Sequence, residues 1–177
     1  MIYISEEESA ALVTHEIAFR AVRRALVAAA AGQGEVFPAV LGRTREAGNT
    51  FSIKSGWAEE LAGAKLGSFW TGNPARGLAR HNSTIVLLDP QTGRLGAVIE
   101  AGKVNAYRTA AANAVAADLL ARPDCRVLAI FGAGHQAGFE VAALTRIRPI
   151  DTVLVASRPS PRCEAFVDRL RLQGLKA

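Results

Sequence analysis

The residues with the most specific chemistry are Gly132-Ala133-Gly134-His135-Gln136-Ala137, which read G-x-G-x-x-A directly after the apolar run Val127–Phe131. A short continuous apolar run suits a strand buried on both faces. At its exit Gly132 permits a tight turn, Gly134 lets backbone approach a pyrophosphate, and Ala137 is small enough for close helix–strand packing. The helix opening at Gln136 turns free N–H groups and a positive dipole end toward phosphates, so Ala133, His135 and Gln136 join the two glycines as cofactor-binding candidates. Phe139, Val141, Ala142, Leu144 and Ile147 continue with helical period, and after Pro149 the run Val153–Ser157 reads as a second strand, completing a βαβ unit. An NAD site carries Asp or Glu at the end of that strand for the ribose 2′-hydroxyl. This chain has Ser157-Arg158, with Arg162 one helical turn on, and a hydroxyl with two guanidinium groups suits a 2′-phosphate. The expected cofactor is NADPH, with NADH as the other nicotinamide.

These residues need a scaffold, and composition bounds it. The chain has 177 residues, 50% of them hydrophobic, enough for one ordinary domain or two small ones. No apolar run approaches a membrane span, and the start, Met1-Ile2-Tyr3-Ile4-Ser5-Glu6-Glu7-Glu8, is acidic where a signal peptide is basic. A cytoplasmic protein without a membrane partner is expected. Cys125 and Cys163 have neither metal-ligand spacing nor a disulfide framework, so no metal site is expected. The net charge of +5 comes from scattered basic residues, mostly arginine, with few aromatics to stack on bases. That argues against nucleic acid and for small anions, which the arginine fork pairs with in bidentate fashion.

In chain order, Met1–Ile4 reads as a strand, and Ser5 with Glu8 as a capping box opening one helix through to about Ala31, ended by Gly32 and Gly34. His15 within it reads as a packing residue. From Val36 the pattern turns to short β segments, Phe37–Leu41, Thr50–Ser55, Leu66–Trp70, Ser83–Leu88 and Leu95–Ala101, the last two forming a hairpin through Asp89–Arg94. Ala106–Ala121 is an alanine-rich helix that connects to the second half and stops at Arg122-Pro123. Pro161–Gln173 is the last helix. The fold class is α/β: a β-rich domain with its connecting helix over 1–121, then the first βαβ part of a Rossmann-type domain over 122–177. A doubly wound sheet has about six strands. Only two are made here, which leaves a sheet edge open at Val153–Ser157 and one face uncovered, so the chain is expected to be an N-terminal portion of something longer.

The order of β-rich domain, alanine-rich helix with Arg108-Thr109-Ala110-Ala111, then strand and G-A-G-x-Q resembles the ornithine cyclodeaminase and mu-crystallin family. The resemblance covers essentially the whole chain, through Phe51-Ser52-Ile53-Lys54, His81–Pro90 with Thr92-Gly93, Arg108–Ala112 and Gly132–Gln136. Gly56-Trp57-Ala58 and Val104–Thr109 look most like the branch that reduces cyclic imino acids. The resemblance implies reduction of Δ1-pyrroline-2-carboxylate to L-proline, or of its six-membered homologue, Δ1-piperideine-2-carboxylate, to L-pipecolate. It implies Arg43, Lys54 and Arg108 as a clamp for the substrate carboxylate, Lys54 as the acid near the imine nitrogen, and His81, Arg108 and Thr109 near the cofactor. An aspartate that takes part in catalysis in cyclodeaminase-type members would lie beyond Ala177. Alternatives are ornithine cyclodeaminase or alanine dehydrogenase chemistry within the family, and a non-catalytic nucleotide-binding or small-ligand-binding protein. The resemblance also implies that the β-rich domain over 1–121 is the substrate-binding and dimerisation domain, with a homodimer through the first half as the assembly.

Overall fold

The computed structural model describes all residues, 1–177, and comprises two compact units: Met1–Val13 with Arg23–Asn105, and Thr14–Val22 with Ala106–Ala177. The division falls inside the alanine-rich helix, not after it. Ala110 and Ala114 of that helix share a buried cluster with Ala143, flanked by Phe19 and Phe139, so its small residues belong to the second unit's packing.

The first unit is a seven-stranded sheet with β1 (Ile2–Ile4), β2 (Gly34–Val36), β3 (Val40–Arg43), β4 (Thr50–Ala58), β5 (Leu61–Phe69), β6 (His81–Leu88) and β7 (Leu95–Glu100). Its order is β1-β7-β6-β5-β4-β2, with β3 also paired to β4. Only β1 runs parallel, joining β7 through Ile2↔Ala97 and Ile4↔Ile99. The β6–β7 hairpin turns as expected: Asp89 Oδ1 accepts from the N–H of Thr92 at 2.8 Å and of Gln91 at 3.1 Å. The Thr92 hydroxyl, then its N–H, holds the Asp89 carboxyl below the usual carboxylate range.

Helix α1 (Glu6–Leu12) opens with the expected capping box, Ser5 Oγ accepting from Glu8 N and Glu8 Oε2 from Ser5 N. It does not run on to Ala31. Val13 is extended (φ −78°, ψ 133°), and a separate α2 spans His15–Ala30. Thr14 caps α2, its hydroxyl accepting from Ile17 N at 3.2 Å, so the β-branched pair Val13-Thr14 ends one helix and starts the next. Strand boundaries also differ from expectation: β4 runs on to Ala58, not Ser55, and β6 starts at His81, not Ser83. Pro38 cannot donate to a ladder, and the segment expected at Phe37–Leu41 resolves into β2 before it and β3 after it. Strand β5 begins at Leu61, not Leu66, because Glu59 takes a left-handed φ of 54° and closes a tight β4–β5 hairpin, pinned by an Arg24–Glu59 ion pair.

The second unit contains α3 (Gly102–Leu120) from Ala106 onward, β8 (Val127–Phe131), α4 (His135–Leu144), β9 (Thr152–Ala156) and α5 (Pro161–Leu172). Strands β8 and β9 are parallel, Val127↔Thr152 to Phe131↔Ala156. One face of this pair is packed: Ala137, Val141, Val153, Phe166 and Leu170 form a buried cluster with Leu128, Ile130 and Val155 against it. The other face is bare, with Phe131 87% exposed beside Val127 and Leu154. The β9 edge is not open throughout. Val153 N donates to Lys176 O at 2.7 Å and Lys176 N to Asp151 O at 2.8 Å, a parallel bridge at the first residues of the strand.

Candidate functional site

In the second unit the chain leaves β8 through Gly132, whose φ of 96° is a conformation that favours glycine. Gly134 is the N-cap of α4 (φ −80°, ψ −176°) and supplies no side-chain cap. A Cβ placed on Gly134 would meet no protein atom within 4 Å, so nothing in the chain's own packing requires a glycine there. A backbone kept bare over open space, before uncapped N–H groups, fits the close approach of a pyrophosphate. Gly134 borders a 630 Å³ cleft that it shares with Ala133, His135, Gly138, Arg162 and Arg169. Ser157 and Arg158 follow β9 and are exposed.

The side chain of Gln136 is engaged within the protein: Nε2 donates to Ala106 O at 3.1 Å and to Glu140 Oε1 at 2.9 Å, while Asn113 Nδ2 donates to Glu140 Oε2 at 3.0 Å. It ties the first turn of α4 to α3, so its contribution to an anion site is through the backbone. His135 packs on Phe139, with ring centroids 5.1 Å apart. His15 lies against Tyr107 at 4.6 Å, and burial, then the charge of Arg146, lowers its pKa, in keeping with a packing role. Helix α3 starts at Gly102, not at Ala106, so Arg108 and Thr109 stand about two turns into it, and burial pulls the Arg108 pKa down.

In the first unit the register decides which cations share a face. Arg43, Thr50, Phe69 and His81 form one cross-strand row, Leu41, Ser52, Gly67 and Ser83 the next, and Lys54, Lys65 and Ile85 a third. Odd–even alternation puts all three rows on the same side of the sheet. Arg43, Ser52, Gly67 and His81 line a 380 Å³ cleft there. Lys54 is exposed on the same face and sits directly opposite Lys65, which is half-buried. Like charges in register destabilise a sheet, and an anion lying over the pair would relieve that.

Lys65 is not among the site residues that the sequence singles out. Its Nζ donates to Asn105 Oδ1 at 3.0 Å and lies 3.8 Å from where a Cβ of Gly67 would stand, with Ser52 Oγ 3.1 Å from that same point. The available signal was Gly63-Ala64-Lys65-Leu66-Gly67: glycines two residues either side leave a lysine room to lie along its strand. Asn49 is not among those site residues either. It is 2% exposed, and its Oδ1 accepts from Thr71 N at 3.0 Å while Nδ2 donates to Glu46 at 3.0 Å, fixing the loop that follows Arg43.

The chain is 33% identical over 156 residues to the iminosuccinate reductase of Paracoccus denitrificans, covering 87% of this chain and 49% of that protein. It is 37% identical over 130 residues to the Δ1-pyrroline-2-carboxylate reductase of the same organism, covering 72% of this chain and 40% of that one. An archaeal alanine dehydrogenase dimer with bound NAD superposes with a TM-score of 0.92 at 28% identity, covering 100% of this chain and 55% of that chain. The chain thus spans about half the length of the relatives it matches. With residues 4–176 matching its profile, the chain belongs to the ornithine cyclodeaminase/mu-crystallin family.

Proposed function

We propose that the protein reduces the C=N bond of an imino acid with a nicotinamide cofactor, NADPH in preference to NADH, and that Δ1-pyrroline-2-carboxylate or its six-membered homologue is the substrate. The observation that carries this is that Arg43, Lys54 and Lys65 lie on one face of the first unit's sheet, with the Lys65 ammonium beside the space left by Gly67. A ketimine carboxylate needs a cationic clamp and a proton donor near its nitrogen, and a guanidinium with two ammonium groups provides both. Arg43 and Lys65 hold the carboxylate, with Lys54 as the outer ammonium and the acid. In the second unit the backbone of Gly132–Gln136 takes the pyrophosphate, Ser157, Arg158 and Arg162 take the 2′-phosphate, and Arg108 and Thr109 make further cofactor contacts. When bound, the nicotinamide supplies the hydride that adds to the imine carbon.

Assembly follows from the opposite face of the same sheet. Val40, Ile53 and Leu66 form one cross-strand row and are 57%, 39% and 47% exposed. An apolar row of that kind on a solvated face is a surface for self-association, and we propose a homodimer through the first unit. The iminosuccinate reductase relative supplies the competing substrate.

The experiment is steady-state reduction of Δ1-pyrroline-2-carboxylate, Δ1-piperideine-2-carboxylate and iminosuccinate with each cofactor, on the wild type and on Arg158→Asp. Arg158→Asp is expected to weaken NADPH by roughly 2–4 kcal/mol more than NADH, by analogy with truncated charge pairs. Equal loss for both cofactors refutes the phosphate assignment. Iminosuccinate outperforming both cyclic substrates refutes the ring preference, and turnover of none refutes the enzyme reading.

A further inference from the structure

We propose that Asn105 is a positioning residue for the substrate site: it holds the Lys65 ammonium over the Gly67 gap through a neutral acceptor. This rests on the reading above that the Arg43–Lys65 face binds the imino acid. The Lys65–Asn105 bond, 3.0 Å and half-buried, spans 40 residues of sequence. A lysine side chain loses much rotamer freedom when fixed, so an ammonium lying along its strand needs a partner that selects the orientation.

Asn105 is itself fixed from outside its helix. Glu6 caps α3, its Oε2 accepting from Gly102 N at 2.7 Å and its Oε1 from Lys103 N at 2.8 Å, and Asn105 N donates to Ala101 O at 2.8 Å. Gly102 admits that carboxylate closely, since a Cβ there would stand 3.1 Å from Glu6 Oε2. Glu6 N in turn donates to Glu100 Oε2 at 2.9 Å, on the strand leading into α3. A chain of contacts therefore runs from the N-terminal helix through the first turn of α3 to the ammonium.

The amide matters as well as the position. A carboxylate at 105 would direct Lys65 equally well but would cancel its charge at a distance of about 3 Å, where attraction for an anionic substrate is needed. Asparagine supplies the acceptor and no charge.

The test compares Asn105→Ala, the isosteric Asn105→Asp and Lys65→Ala in the whole protein. Readouts are kcat and KM for Δ1-pyrroline-2-carboxylate against pH, calorimetric binding of pyrrole-2-carboxylate as a planar, unreactive probe, and the NMR titration of the Lys65 side chain. Asn105→Ala is expected to raise KM and the probe Kd together by roughly fivefold to tenfold, as loss of a charge-assisted bond does. Asn105→Asp is expected to weaken the probe further and to move the Lys65 titration upward by about one unit or more, as an adjacent carboxylate does. A merely structural role would not produce that upward move together with weaker anion binding, and Asn105→Asp keeps the test readable should Asn105→Ala fail to fold. Wild-type KM, probe affinity and Lys65 titration in both Asn105 variants, with Lys65→Ala inactive, overturn the proposal alone. Full activity in Lys65→Ala overturns the site reading beneath it.

Discussion

Replacing Arg148 with alanine is expected to destabilise the protein more than any change at its exposed arginines. Helix α3 has no basic residue in its last turn, and Arg148 serves that end from the loop after α4. Its side chain is 9% exposed. The guanidinium donates to the carbonyls of Ala117 at 3.0 Å, Asp118 at 2.7 Å, Ala121 at 3.1 Å and Arg122 at 3.1 Å, and to Asp118 Oδ1 at 2.8 Å. These include helix-terminal carbonyls without intrahelical partners, and the charge also faces the negative end of the helix dipole. Breaking a buried ion pair from one side costs about 3–5 kcal/mol. Asp118 is 43% exposed and regains water, so the lower end applies, about 3 kcal/mol. With a urea slope of about 2 kcal/mol/M, the midpoint should fall by roughly 1.5 M. Arg148→Lys keeps a point charge and loses the fork, and should fall between wild type and alanine. The assay is urea unfolding followed by circular dichroism, with hydrogen exchange across the last turn of α3 as the local probe. A midpoint shift below about 0.3 M for Arg148→Ala, with unchanged exchange, would refute the reasoning.

Other outcomes follow from the same geometry. Burial, then Arg146, lowers the His15 pKa in the fold, so the unfolded chain binds the proton more readily. Its contribution is fully present above the unfolded value near 6.5 and is lost as pH falls through the folded one; melting temperatures from pH 7.5 to 5 should decline less in His15→Phe, and parallel curves would remove His15 as the cause. Leu66→Lys places a charge at the β5 end of the apolar row and should convert a dimer to monomer in light scattering while leaving cofactor binding intact; an unchanged mass would move the interface elsewhere. Gly134→Val has room within the protein, so it should fold normally and lose cofactor affinity at least tenfold, the size of about 1.4 kcal/mol. Unaltered affinity there would remove the pyrophosphate from that loop.

Local chemistry was legible in the sequence wherever a residue's role depended on its neighbours in the chain. The capping box at Ser5, the Asp89 turn, strand β8 and the left-handed Gly132 are set within a few residues, where backbone propensity and short-range hydrogen bonds dominate. The break at Val13-Thr14 has a local signal, a threonine cap before an acidic first turn, but the apolar period runs through it and masks that signal. Tertiary structure alone decided three things. It seated β1 beside β7, nearly a hundred residues away, because parallel pairing carries no local turn signal. It placed Lys65 opposite Lys54 and under Asn105, since register selects which residues of two strands meet, and a slip of one residue would have sent Lys65 to the apolar face. And it assigned the alanine-rich helix from Ala106 to the second unit, because alanine fits closely against any neighbour and its spacing names none.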